Sequence, residues 1–256
     1  MSPEMFAIAI GIVVFAGGSL GLILQRILPE TFTTGGPRDM ISAVDGLLML
    51  LSFLTMGLLI WTAYGVYAGQ NTAIQTLAAE ILQLDLDLAD YGPEANAKRT
   101  TLRQSVGKSI DEVWGANESD LNFAAKNFAA ALRNLRERET ALASLHPATD
   151  EQRQAVAAAT AAVETIGQAR LQMSFALASP VSYPLILIVA GWVTAMFCGF
   201  GLMSKASAMA VVALFVGACV TASAVYVILD LSSPYTGVFR ASPAPLEQVL
   251  AVMGKE

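Results

Sequence analysis

The sequence predicts an all-α integral membrane protein in which four transmembrane helices, two plus two, flank a soluble helical bundle. Three observations carry that prediction. Hydrophobic residues make up 55% of the 256 positions and charged residues only 14%, where a soluble domain carries roughly a quarter charged. The mean hydropathy is correspondingly high, +0.56. The charges are also segregated: 24 of the 36 Asp, Glu, Lys and Arg lie between Gln70 and Ser179, so two long stretches are almost bare of them.

Taken in order, the first apolar run is Met5 to Leu24, uncharged and closed by Gln25-Arg26. About 20 such residues cross a hydrocarbon core of ~30 Å. The preceding Met-Ser-Pro-Glu offers no basic region for a cleaved signal, so the run reads as a retained span. Leu28 to Val44 reads as a loop from Pro29, Gly35-Gly36-Pro37 and the charges Glu30, Arg38 and Asp39. Gly46 to Ala68 is the second span, and Trp61, Tyr64 and Tyr67 at its end match an interfacial aromatic belt. Residues 1–68 thus form a first helix pair.

Residues 69–179 read as the soluble bundle. Ile74, Leu77, Ile81, Leu84, Leu88 and Tyr91 alternate steps of three and four, so the second span is expected to run on as one helix until Gly92-Pro93. A second stripe is Leu102, Val106, Ile110 and Val113; a third is Leu121, Ala125, Phe128, Leu132, Leu135 and Leu142, stopped by His146-Pro147. Thr149 and Gln152 have capping-box spacing and open a fourth helix, with Val156, Thr160, Val163, Ile166, Met173 and Leu177 on its stripe. Four helices with such steps suit shallow-angle packing.

Pro180 and Pro184 mark the return to the bilayer, and residues 180–231 hold the second pair: Val181 to Met203, a short turn at Ser204-Lys205-Ala206, then Ser207 to Leu229. The third span, like the second, is expected to continue the neighbouring bundle helix. The tail, 232–256, is Pro-rich and then amphipathic through Leu246, Val249, Leu250 and Met253.

Several functions are excluded on chemistry. A net charge of −6 with no basic cluster disfavours nucleic acid. Cys198 and Cys219 both lie in apolar segments, so the bundle can build neither disulfide nor zinc site. The P-loop, nucleophile-elbow, zincin and dinucleotide-binding motifs are missing, and the single histidine, His146, reads as a solvated turn residue beside Pro147. The expectation is a protein that is not an enzyme and that holds no cofactor or metal.

Two patterns within the spans stand out. Asp45, Ser52, Thr55 and Thr62 follow at steps of seven, three and seven, which at 100° per residue places them within an arc of about 100° on one helix face. Polar groups in hydrocarbon must face protein or water. This face is therefore either a pore lining, or a packing face whose hydroxyls bond to carbonyls one turn earlier or to a neighbouring helix. Gly191, Ala195 and Gly199, then Gly217 and Thr221, have small-xxx-small spacing, and Gly11, Gly17, Gly18 and Gly21 line the first span. Such residues let helices approach closely, within or between subunits.

The segment Leu229-Asp-Leu-Ser-Ser-Pro-Tyr-Thr-Gly-Val-Phe-Arg-Ala-Ser-Pro-Ala-Pro-Leu246 resembles the signature of the bestrophin-like family of bacterial and plant membrane proteins. In that signature an Asp after the last span precedes an aromatic-x-Gly and a Val-Ser-x-x-Pro-Leu run. Tyr91-Gly-Pro-Glu-Ala-Asn-Ala-Lys-Arg99 resembles a second block of the same family, and the two-plus-two spans agree with it. Ser232-Ser233 departs from the pattern, which expects a basic residue near the aspartate. The resemblance implies a distant likeness to bestrophins, oligomeric anion channels with four-span subunits. It also marks Asp230 as the family's acidic position, either paired structurally, with Arg240 the available partner, or binding an ion.

The expectation is a homo-oligomer in a bilayer, the inner membrane of a bacterium, that conducts ions along the second span. The alternative is a non-conducting scaffold or sensor whose bundle binds a partner or ligand; the short tail disfavours the expectation of a chemoreceptor-like sensor with its own signalling module. Four crossings put both termini and the bundle on one side. Arg26, Arg38 and Lys205 on the short loops face Arg170, Arg240 and Lys255 on the other flanks, and their density leans towards short loops in the cytoplasm.

Overall fold

A computed structural model describes residues 2–29, 35–114, 142, 144–178, 182–235 and 237–253. Every regular element among them is helical: α1 (Pro3–Ile27), α2 (Gly36–Tyr91), a 3-10 turn (Pro93–Ala95), α3 (Asn96–Trp114), α4 (Asp150–Ala178), α5 (Tyr183–Met203), α6 (Ala208–Leu231) and α7 (Ala244–Val252). Four of these, α1, α2, α5 and α6, are long and apolar enough to cross a membrane. Of the third predicted bundle helix, the stripe from Leu121 to Leu135 lies outside the described residues, while its last member, Leu142, is helical and buried.

Two boundaries differ from the sequence reading. Helix α2 begins at Gly36, inside the stretch read as a loop. Gly35 takes φ +62°, and Pro37 then falls in the first helical turn, where its missing N–H costs nothing and Asp39 favours the helix dipole. The expectation that α4 continues into the third span is corrected: α4 ends at Ala178 and α5 starts anew at Tyr183, with Ser182 as N-cap and Pro184 in the first turn. Two prolines four residues apart remove the backbone donors that a continuous helix needs there. By contrast α2 does run unbroken for 56 residues.

The chain divides into two compact units. The first comprises Met1–Tyr64 and Val181–Ser232. In it, α1 packs along both α5 and α6 through its glycines. A Cβ on Gly21 would meet the Cys198 carbonyl, and one on Gly18 would sit 2.8 Å from Leu214 Cδ2. Only glycine lets these backbones approach so closely. Ser2 caps α1 by accepting from the Met5 N–H at 3.4 Å, and Ser207 caps α6 by accepting from Ala210 at 3.2 Å. The outer faces are apolar and exposed, among them Ile12, Leu20, Phe53, Trp61, Phe215 and Val220. Patches of this extent suit contact with lipid rather than water.

The second unit comprises Gly65–Pro180 and Ser233–Glu256. Its core joins Ile74, Ile81 and Leu88 of α2, Val106 of α3, Val163 and Ile166 of α4, and Tyr235, Ala241 and Leu246 of the tail. The predicted capping box is present: Thr149 Oγ1 accepts from the Gln152 N–H at 3.2 Å, and Gln152 Oε1 accepts from the Thr149 N–H at 3.4 Å. Gln152 Nε2 also donates to the Tyr91 carbonyl at 3.2 Å, closing the end of α2.

Candidate functional site

In the first unit, the polar stripe of α2 separates into two parts. Asp45 and Ser52 are buried, each 5% exposed. Both Asp45 Oδ2 and Ser52 Oγ are buried without a hydrogen-bond partner among the described residues. Seven residues apart, they sit on one face at ~10 Å along the axis. The Asp45 carboxylate lies against Gly199 of α5, in the space that a Cβ there would fill. Thr55 is half-buried, whereas Thr62 is exposed and its hydroxyl donates to the Leu59 carbonyl at 2.9 Å. Thr62 therefore bonds back to its own helix, one of the two alternatives for this stripe.

The small residues also divide. Gly199 seats Asp45, and a Cβ on Gly217 would come within 2.6 Å of Phe197 Cζ. Thr221 is buried and donates to the Gly217 carbonyl at 3.0 Å. Gly191 and Ala195 instead face outward and line an open apolar groove with Ile10, Val13 and Leu187. Asp230, in the last turn of α6, is buried at 3% exposure and accepts from the Tyr226 hydroxyl at 3.3 Å. Arg240 of the second unit donates through Nε to the Gly237 carbonyl at 3.1 Å.

The second unit holds polar groups that the stripe reading passed over. Gln70, 1% exposed, accepts from the Tyr235 hydroxyl at 2.8 Å and donates to the Met173 carbonyl at 3.1 Å. Burial pushes the Tyr235 phenol well above its ordinary pKa. Trp114 packs edge-on against Tyr235 and donates through Nε1 to the Ala241 carbonyl at 2.8 Å. Arg99 clasps Asp85 with two bonds of 2.9 and 2.8 Å, while Asp87 accepts from Gln83. The signal for Gln70 was available: it stands one turn ahead of Ile74, in line with an otherwise apolar stripe. Tyr235 and Arg99 both fall in the two family-like blocks. Among the described residues no group of three His, Cys, Asp or Glu could hold a metal ion.

A family model described as Bestrophin-like domain matches residues 9–246, a span that runs from within α1 through the other three membrane helices and the bundle to Leu246 in the tail. Comparisons with curated proteins and with solved structures give no match.

Proposed function

This chain belongs to the bestrophin-like family, and from that premise we propose that it is a homo-oligomeric membrane protein that conducts ions, with α2 lining the path. The observation that carries this reading is the pair of buried, unpartnered oxygens, Asp45 Oδ2 and Ser52 Oγ, on one face of a membrane-crossing helix. Buried polar groups on such a helix are costly unless they meet protein donors, water or ions. Neither has a protein partner among the described residues, which favours water or ions. Helix α2 is also the least covered of the four crossing helices, with 17% of its apolar window buried against 44% for α5. That leaves a broad face for lipid and for neighbouring copies. The bundle serves as a vestibule or gate, and no residue acts in catalysis.

The protein resides in the inner membrane of a bacterium, with both termini and the bundle on the same side. One observation favours a non-conducting scaffold instead: Thr62 satisfies its own hydroxyl on the Leu59 carbonyl, as a structural threonine does. The test is flux through the purified protein in liposomes, for K+ and Cl− separately. Flux above that of empty vesicles is expected. Silence for both, with the protein folded and inserted, would remove the conduction reading and leave the scaffold.

A further inference from the structure

The membrane unit holds a buried carboxylate that no other described side chain neutralises. Asp45 is 5% exposed and its Oδ2 has no hydrogen-bond partner among the described residues. No ion pair joins it to any other described side chain, and Arg38 on the same helix is seven residues away, ~10 Å along the axis. An isolated carboxylate in so apolar a setting is unfavourable unless a counter-charge or a proton reaches it. Helix α5 contributes a second, independent feature. Gly199 is buried, and a Cβ there would collide with both carboxylate oxygens and their carbon. The glycine keeps a space into which the charged group fits. The remaining polar member of this buried face, Ser52, offers a neutral oxygen two turns further along.

We propose that Asp45, seated on Gly199, is a binding station for a monovalent inorganic cation, so that the path along α2 selects cations over anions. One carboxylate balances one positive charge. A divalent ion such as Ca2+ takes roughly six to eight oxygen ligands, usually with several carboxylates, and no such group exists among the described residues. An anion would meet the like charge of Asp45 in a low-dielectric setting, where repulsion is strongest. Selection along a path rests on the conduction reading; binding at Asp45 does not.

Two measurements separate those claims. Thermal unfolding of the full chain in detergent is followed in NaCl, KCl and choline chloride at equal ionic strength. Na+ or K+ is expected to raise the midpoint over choline in proportion to occupancy. The variant Asp45→Asn should lose roughly tenfold or more in cation affinity, a scale that even outer-shell changes around bound ions reach. Gly199→Ala, which keeps the aspartate but displaces it, should weaken the same response. Absence of any cation effect on the wild-type protein overturns the site without reliance on a variant. Stabilisation by acid alone assigns Asp45 to a proton and overturns it equally. In liposomes, the reversal potential under a KCl gradient should show K+ preferred over Cl−, with the preference reduced in Asp45→Asn. A Cl−-preferring conductance, or an unchanged one in Asp45→Asn, overturns selection at Asp45. Silent liposomes with cation-dependent stabilisation would instead remove conduction and keep the site.

Discussion

Gly21 and Gly191 look alike in the sequence, each a small residue at four-residue spacing from another, yet they meet different surroundings. A Cβ on Gly21 would land on the Cys198 carbonyl, whereas one on Gly191 has nothing within 4 Å. Gly21→Ala must push two helix backbones apart, and overpacking of that kind costs about 1–3 kcal/mol. Its unfolding midpoint in detergent should fall, while Gly191→Ala should match the parent protein; equal midpoints would contradict the seam between α1 and α5. Spacing shows that a helix has a smooth side but not which part of it meets another backbone. The polar stripe of α2 teaches the same lesson. Asp45, Ser52, Thr55 and Thr62 share one arc, but the neighbour that covers Asp45 is Gly199, more than 150 positions away. No local pattern encodes that contact.

At the scale of elements, local signals worked where the cause was local. The alternating apolar stripe from Ile74 to Tyr91 announces that α2 continues past its span, and Thr149 with Gln152 forms the reciprocal cap that its spacing implies. The start of α2 was masked because Gly-Gly-Pro is read as a loop, although proline also suits a first helical turn. The tail depends on distant partners. Tyr235 follows α6 closely in sequence, yet its hydroxyl donates to Gln70 on α2, 165 positions away. Tyr235→Phe leaves Gln70 Oε1 without that donor, at a cost of about 1–3 kcal/mol. Thermal unfolding at neutral pH should register the loss. The pH dependence has a defined sign. Because burial raises the folded pKa of Tyr235, its contribution is fully present below the ordinary tyrosine value of about 10 and fades as pH rises through the folded value. The parent protein should therefore lose stability above about pH 10 more steeply than Tyr235→Phe. Parallel alkaline limbs for the two proteins would argue that Tyr235 is not buried as described.

For the whole molecule, segregation of charge along the chain was the most informative signal, because the bilayer imposes it over tens of residues at once. It separates two apolar pairs from a polar middle; the first compact unit joins the segments on either side of that middle, and the second joins the middle to the tail. What it leaves undecided is sidedness, since Arg26, Arg38 and Lys205 are offset by Arg170, Arg240 and Lys255. An even number of crossings nevertheless makes a strict prediction. With Cys198 and Cys219 replaced by alanine, single cysteines can be placed at the exposed positions Arg38, Glu94, Lys205 and Glu247. Four crossings require Arg38→Cys and Lys205→Cys to react with a membrane-impermeant maleimide from one face of the membrane. Glu94→Cys and Glu247→Cys must then react only from the other. If Glu94 and Glu247 label from opposite faces, one of α5 and α6 does not cross, and the two-plus-two arrangement fails. If all four obey the pattern, the face that exposes Arg38 is also the face of the short loops, and a cytoplasmic assignment there would agree with the density of basic residues beside the span ends.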